Sequence, residues 1–194
     1  MRNLLSCLVL LLAQAPAFAQ SDLIVTLHER TLNNLFAALG EFKGTEEYEL
    51  MFIDRTLTWT LTGMHIELEK DSAAFLTQAR VETDFGTYTD EVRGKVAIRY
   101  NEKSNLISVQ VVDAPFEIAV NAFGRRWVIK RLQIADYLTT PFTFEGPLTL
   151  QNSLDFEMPD GTVRTIAATP NRCTIQVLPN RIEVATNVAF KPKK

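Results

Sequence analysis

Four apolar-alternating segments follow one another between Leu57 and Val120, and this run constrains the fold more than any other feature of the chain. Alternation of apolar and polar residues predicts strands with one buried face. Within the first segment, Leu57–Leu68, the apolar residues change parity at Thr62-Gly63. Because a one-residue shift would turn apolar side chains to water, this change predicts a β-bulge near Gly63.

The fourth segment, Leu106–Val120, changes parity in the same way at Val111-Val112, which predicts a second bulge or a kink. As one strand, this segment would span on the order of 45 Å at about 3.3 Å per residue, whereas most strands have roughly five or six residues. Long strands that change face midway predict a bent sheet. A strongly bent antiparallel sheet needs side chains inside its curve.

One helix is predicted upstream of this run. Its apolar stripe has the spacing i, i+3, i+4 and i+7 and consists of Leu32, Leu35, Phe36 and Leu39. Gly40 follows at the position of a C-terminal glycine cap. We therefore predict an α+β fold in which one N-terminal amphipathic helix is packed in a long, highly curved antiparallel β-sheet. Residues Glu41 to Arg55 are compatible with a covering loop, a short edge strand or a mobile flap.

The rest of the chain extends the sheet. Trp127 to Ile134 is predicted as a strand, and Ile134 to Pro147 as an irregular connection. Alternating residues then run from Leu148 to Phe190. Turns interrupt them at Pro159-Asp160-Gly161 and at Pro179-Asn180, where proline, glycine and asparagine favour the required dihedral angles.

The first residues have the three parts of a secretory signal peptide. Arg2 is the positive region, Leu4 to Leu12 the apolar region, and Ala17-Phe18-Ala19 the cleavage site. We predict that residues 1–19 are removed after Ala19 and that residues 20–194 form a single domain of the periplasm. The apolar region is too short to span a membrane.

Cysteine content and charge support this compartment and exclude some partners. Cys173 is the only cysteine left after cleavage, so no intramolecular disulfide forms, which favours a bacterial periplasm over a eukaryotic extracellular space. The net charge of −3 becomes −4 once Arg2 is removed. This is not the basic balance of a nucleic-acid-binding domain, so nucleic acid is not an expected partner.

The sequence carries no catalytic signature. His28-Glu29 begins like H-E-x-x-H, but position 32 is leucine, and there is no G-x-S-x-G, G-x-G-x-x-G or P-loop motif. We therefore predict no catalytic residues, no metal and no cofactor. A hydrolase that uses a carboxylate pair, such as Asp84 with Asp90, is the least favoured alternative.

The apolar interior of the predicted curve is the candidate binding site. Its side chains either fill the space as a plain core or leave a slot for a lipid. The candidate groove residues come from the helix and from the inner face of the sheet: Leu32, Leu35, Phe36, Leu39, Trp59, Leu61, Met64, Phe75, Phe116 and Ile118.

A basic cluster surrounds Trp127 and is a second candidate surface. It contains Arg125 and Arg126, followed by Lys130 and Arg131. Tryptophan and basic residues together suit an anionic head group at a membrane surface, so a peripheral membrane contact is one interpretation. The alternative is a solvated strand face opposite acidic neighbours.

The order of these elements resembles the TULIP superfamily of tubular lipid-binding domains. The segment Ile24-Val25-Thr26-Leu27, the helix containing Leu32-Asn33-Asn34-Leu35, and the strands Leu57–Leu68 and Leu106–Val120 carry the resemblance. They are similar to small bacterial periplasmic proteins and lipoproteins related to one half of a bactericidal/permeability-increasing protein. The resemblance implies an apolar groove between helix and sheet that holds an acyl chain. The chain lacks a lipobox cysteine at its predicted mature N-terminus, which favours a soluble carrier over a tethered lipoprotein.

Three functions follow from these observations. The first is a periplasmic binding protein, without catalysis, for a lipid or another hydrophobic small molecule. The second is a structural or assembly module of the cell envelope, with a fully packed core and a protein partner. The hydrolase is the third.

Overall fold

The computed structural model describes residues 21–50, 53–122, 125–147 and 153–193, so the signal-peptide prediction for residues 1–19 lies outside it. Within these ranges the chain is mostly β-strand, with one α-helix and one short 3-10 helix. In chain order the elements are β1 (Leu23–His28), α1 (Glu29–Leu39), β2 (Phe42–Leu50), β3 (Ile53–Glu69), β4 (Ser72–Thr83), β5 (Gly86–Asn101), β6 (Leu106–Asp113), β7 (Pro115–Ala122), β8 (Arg125–Gln133), the 3-10 helix (Ile134–Tyr137), β9 (Phe142–Glu145), β10 (Ser153–Glu157), β11 (Val163–Leu178) and β12 (Arg181–Pro192).

The strands form two curled antiparallel sheets and a two-stranded ribbon. The six-stranded sheet has the order β2-β3-β4-β5-β6-β9, the four-stranded sheet β1-β12-β11-β10, and the ribbon consists of β7 and β8. The prediction of one long curved sheet around the helix is therefore wrong. Apolar alternation specifies which face of a strand is buried, but it does not specify the neighbouring strand. The C-terminal strands pair with β1 instead of extending the central meander.

The predicted bulge near Gly63 is confirmed. The pairing of β3 with β4 shifts between Thr62, opposite Gln78, and His65, opposite Leu76, which leaves one extra residue on β3. Gly63 has a φ of +63°. A glycine adopts this left-handed conformation without steric cost, which explains its place at the bulge.

The second predicted bulge is also confirmed, but the strand that carries it is shorter than predicted. Val96 pairs with Val111 and Lys95 with Asp113, so Val112 is the extra residue. The chain then leaves the six-stranded sheet at Ala114, between β6 and β7. The prediction of one strand from Leu106 to Val120 is wrong for this reason.

Side-chain and backbone groups of β8 and the 3-10 helix stabilise this break at Ala114. The Ala114 N–H donates to Gln133 Oε1 at 2.5 Å, and the Ala114 carbonyl accepts from the Ile134 N–H at 2.9 Å. These bonds replace the ladder bonds that a continuous strand would make. Gly94 of β5 allows the close approach, because a Cβ there would overlap Asp113 and Ala114.

Side chains of α1 cover one edge of the six-stranded sheet. The pairing of β2 with β3 reaches only Leu61, so the segment of β3 beyond it pairs with none of the described strands on that side. Asn33 Nδ2 donates to the Ile66 carbonyl at 3.0 Å, and Asn33 Oδ1 accepts from the Ile66 N–H at 2.7 Å. Glu29 Oε2 accepts from the Leu68 N–H at 2.7 Å. The helix thus takes the place of a neighbouring strand.

The turn between β11 and β12 joins the two sheets at the same edge. The Asn180 N–H donates to the Leu68 carbonyl at 3.1 Å, and its carbonyl accepts from the Glu29 N–H at 2.9 Å. Asn180 has a φ of +64° and follows Pro179, as predicted for this turn. One short turn therefore contacts both the end of β3 and the start of α1.

Two segments whose sequence patterns were weak or ambiguous form regular secondary structure. Of the three alternatives for Glu41 to Arg55, most of the segment forms the edge strand β2, nine residues long. The connection predicted as irregular after Ile134 contains the 3-10 helix and the four-residue strand β9. Residues 148–152, where the predicted C-terminal alternation begins, lie outside the described part of the chain.

We expect Asn33→Ala to lower the free energy of unfolding by about 2 kcal/mol, because it leaves a partly buried N–H and carbonyl of Ile66 without their partner. Asn34→Ala is the matched control, since Asn34 is the exposed neighbour on the same helix, and it should cost less than about 0.5 kcal/mol. Urea denaturation of both variants measures the difference. Equal losses would contradict a specific role for Asn33.

Candidate functional site

The predicted helix residues lie in two different environments. Leu32 and Phe36 are each 1% exposed, and Leu35 is half-buried. Leu39, in the last turn, is 50% exposed. The ring centroid of Phe36 lies 5.7 Å from that of Phe75 on β4 and 5.0 Å from that of Phe142 on β9. The stripe is therefore packed in its middle and open at its C-terminal end.

The predicted sheet residues are almost all inaccessible to water. Trp59, Leu61, Phe75 and Ile118 are at most 1% exposed, and Phe116 is 4% exposed. A side chain that lines a void wide enough for an acyl chain would keep surface accessible to a water-sized sphere. These side chains keep almost none, so they contact one another directly in the core. Ligand binding by these residues stays a prediction.

Trp59 illustrates how the core is filled at the β2 end. It lies opposite Gly44 on β2, and a Cβ at Gly44 would overlap the indole ring. Its ring centroid is 6.3 Å from that of Phe42 and 4.9 Å from that of Tyr137. The indole thus lies between the sheet and the 3-10 helix, where it serves as a packing residue.

An open groove lies at the C-terminal end of α1, beside the bulge of β3. We call it the helix-end groove. Its volume is about 320 Å³, and it is lined by Phe36, Ala37, Gly40, Glu41, Thr62, Gly63 and Met64. Phe36 and Met64 contribute only their outermost atoms, since they are 1% and 6% exposed. Two predicted groove residues therefore border a space that a ligand could enter.

The β7–β8 ribbon carries the predicted head-group residues. Trp127 is 47% exposed, and Arg126 is also exposed, whereas the side chain of Arg125 lies outside the described structure. Arg131 forms an ion pair with Glu117 at 3.0 Å. Arg126 forms no ion pair with the described residues. Arg131 is thus paired with a carboxylate, whereas Arg126 is exposed next to Trp127 in the chain, on the opposite face of the ribbon.

Glu46 on β2 attaches the ribbon and the 3-10 helix to the six-stranded sheet. The Tyr137 hydroxyl donates to Glu46 Oε1 at 2.5 Å, and Lys130 Nζ lies 3.1 Å from Glu46 Oε2. These two hydrogen bonds hold the pKa of Glu46 below its usual value. The hydrogen bond to Glu46, together with burial, raises the pKa of Tyr137 to about 12.

The residues considered for catalysis and metal binding are dispersed or already bonded. Asp84 forms an ion pair with Arg55, whose guanidinium lies 5.2 Å from the centroid of the Phe85 ring. His65 Nδ1 lies 2.8 Å from the Gly63 carbonyl oxygen. In the described ranges, no three His, Cys, Asp or Glu residues are grouped so that they could hold a metal ion. None of the helices described is long and apolar enough to cross a membrane.

A larger open groove, which the sequence analysis missed, lies at the distal end of the four-stranded sheet. We call it the distal groove. Its volume is about 620 Å³, and it is lined by Phe156, Met158, Val163, Arg164, Thr165, Ile166, Pro192 and Lys193. The available signal was the apolar alternation that includes Phe156 and Phe190. The structure shows that both of these side chains are exposed.

The chain matches no protein-family model, and comparisons with curated proteins and with solved structures found no significant match. The curled antiparallel sheets are compatible with a lipid-binding architecture.

We expect Glu46→Gln to lower the pKa of Tyr137 from about 12 towards its ordinary value of about 10, because a neutral acceptor disfavours the phenolate less than a carboxylate does. A pKa raised by folding stabilises the protein below pH 10, and this contribution is lost as the pH rises through about 12. An NMR titration of the Tyr137 ring measures the shift. Glu47→Gln, at the exposed neighbouring position, should leave it unchanged.

Proposed function

We propose that the protein is a periplasmic binding protein for a lipid or another hydrophobic ligand and that it catalyses no reaction. The helix-end groove is the observation that carries this proposal. Its volume of about 320 Å³ lies at the lower end of the range of roughly 300–1,000 Å³ typical of ligand sites. Ala37 and the outermost atoms of Phe36 and Met64 give it an apolar lining, and Gly63 adds no side chain that would narrow it.

The side-chain hydrogen bonds between α1 and β3 lie at the N-terminal part of the helix. This distribution supports a route by which a ligand enters the core at the other end of the helix. Glu29 and Asn33 attach the N-terminal part of the helix to β3, with distances of 2.7–3.0 Å. Ala37, Leu39 and Gly40 have no polar side-chain group that could form such a bond, and all three are exposed. In this proposal the turn between Asn33 and Phe42, which pairs with Leu61 of β3, moves outward while the start of α1 stays in place. Such a movement brings an acyl chain from the helix-end groove to the predicted groove residues.

The same proposal includes a TULIP-like arrangement of helix and curled sheet. The supporting features are the amphipathic helix that follows β1 directly, the bulged strand β3, and Phe36 in contact with both Phe75 and Phe142. In this arrangement the helix and the sheet enclose the acyl chain, and the polar part of the ligand stays at the open end of the groove.

The β7–β8 ribbon is the proposed contact with the membrane from which the ligand is taken or to which it is delivered. Tryptophan favours the interface between lipid and water, and basic residues near an anionic surface contribute roughly 1 kcal/mol each. Trp127 is 47% exposed, and Arg126, which precedes it on β8, is exposed on the other face of the ribbon. Both properties suit a peripheral contact with anionic lipid head groups.

One observation favours a second candidate, a structural or assembly module of the cell envelope. Most of the predicted groove residues are packed as a core, and Phe36, Trp59 and Phe75 are among its largest fully buried side chains. Such a module would hold no ligand and would contact a protein partner through its surface.

We expect the mature chain, produced in a bacterial periplasm, to carry copurifying lipid that native mass spectrometry detects. Ala37→Trp should lower the occupied fraction severalfold, because Ala37 is exposed and lines the helix-end groove, which the larger side chain would fill. Ala38→Trp is the matched control: Ala38 is the exposed neighbour, does not line the groove, and should retain the lipid.

The thermal unfolding of both variants shows whether each is folded. A folded wild-type chain that carries no lipid and takes up none from vesicles would contradict the binding function. That result would favour the assembly module, whose partner crosslinking would then identify.

We expect the mature chain to cosediment with vesicles of phosphatidylglycerol and phosphatidylcholine, and to do so weakly with phosphatidylcholine alone. Trp127→Ser should reduce binding severalfold, and Arg126→Gln by roughly fivefold, since one basic residue is lost from the surface contact. Phe85→Ser is the control, because Phe85 is similarly exposed, at 51% against 47% for Trp127, but lies on the β4–β5 turn. Equal binding by all three variants would contradict a contact through the ribbon.

A further inference from the structure

The inner face of the four-stranded sheet continues beyond the core that it covers. Along β12, every second residue lies on this face. Ile182 and Val184 are fully buried, and Thr186 is 1% exposed, whereas Phe190 is 58% exposed. β12 pairs with β11 along its whole length, so the sheet does not end where the burial ends. The distal part of its apolar face therefore lies in the open.

Strands β10 and β11 complete this exposed face. Ile166 on β11 pairs with Pro192 on β12 and with Leu154 on β10, and Phe156 pairs with Arg164. Directly paired and alternate residues share one face of a sheet. Phe156 is 47% exposed, and Ile166 is half-buried. Together with Pro192, these two residues give the distal groove an apolar floor.

The charge of the distal groove is positive, although the protein is acidic. Arg164 and Lys193 line the groove, and none of the described lining residues carries a carboxylate. Neither side chain forms an ion pair with the described residues. The helix-end groove differs, because its charged lining residue is Glu41, which pairs with Lys43 at 2.9 Å. Of the two grooves, the distal groove is therefore the one whose lining favours an anionic ligand.

We propose that the distal groove binds a single-chain anionic amphiphile, with its hydrocarbon chain on Phe156, Ile166 and Pro192 and its acidic head group at Arg164 and Lys193. This inference rests on the proposed function, for which it names a second site and a ligand class. A long-chain carboxylate has both parts of this chemistry. The groove volume of about 620 Å³ suits a ligand of this size.

Isothermal titration calorimetry of the mature chain with dodecanoate tests the proposal. Dodecyltrimethylammonium, which has the same chain and the opposite charge, should bind at least tenfold more weakly. Decanoate should also bind roughly tenfold more weakly than dodecanoate, because two methylene groups fewer are buried. Equal affinity of the anionic and cationic ligands would overturn the assignment of the head-group site.

Two pairs of variants locate the binding. Phe156→Ser and Arg164→Gln should each weaken dodecanoate binding about tenfold. Phe85→Ser matches the exposure of Phe156, and Arg172→Gln removes an exposed charge from the same strand as Arg164. Both controls should bind as the wild type does. Circular dichroism of the four variants verifies their folding.

The outcomes separate this proposal from the function on which it rests. Dodecanoate binding that Phe156→Ser leaves intact and Ala37→Trp abolishes would overturn the distal site but support the helix-end groove. A chain that binds no apolar ligand would contradict both. If Phe156→Ser instead converts a dimer into a monomer without changing dodecanoate binding, the face is an interface between two copies, and the proposal fails.

Discussion

The placement of α1 along the open edge of β3 determines the rest of the structure. Four residues of an α-helix rise about 6 Å, and two residues of an antiparallel strand about 6.8 Å. Side chains at i and i+4 of a helix therefore match alternate backbone groups of a strand. Glu29 and Asn33 have the first spacing, and Leu68 and Ile66 the second, with helix and strand running in opposite directions. Asparagine suits this position because its amide offers a donor and an acceptor, as a strand's backbone does. The same placement directs Phe36 towards the interior.

The helix, the two sheets and the ribbon differ in length. Apolar side chains are therefore buried where these layers overlap and exposed where they do not. Where the helix, the sheets and the ribbon overlap, the side chains are packed, and Trp59 is an example. Where one layer extends past another, apolar surface stays accessible. This happens at the last turn of α1, at the distal end of β12 and on the ribbon at Trp127. The ligand sites proposed for this protein open at such ends: the distal groove is accessible as it stands, whereas the helix-end groove leads to the core only when the last turn of α1 moves outward.

Much of the local structure was predictable from the sequence, because local features depend on nearby residues. The change of apolar parity located both bulges, at Gly63 and Val112, and the glycine after α1 located its end. Strand partners were not predictable in the same way. Nothing in the alternation indicates that the chain leaves the sheet at Ala114, where bonds to Gln133 and Ile134 stabilise the break. The four-residue strand β9 gives too short a pattern to recognise. Groove and core residues share one apolar signature, so the sequence could not separate them.

The pairing of β1 with β12 has a consequence for the order of assembly. Leu23 lies opposite Thr186, and His28 opposite Arg181, so the first strand of the described chain is completed by the last. Contacts between such remote segments close a long loop, which is typical of slowly folding β-proteins. The meander from β2 to β6 joins neighbours in sequence and can form early. We therefore expect β1 to be among the last of the described strands to find its partner.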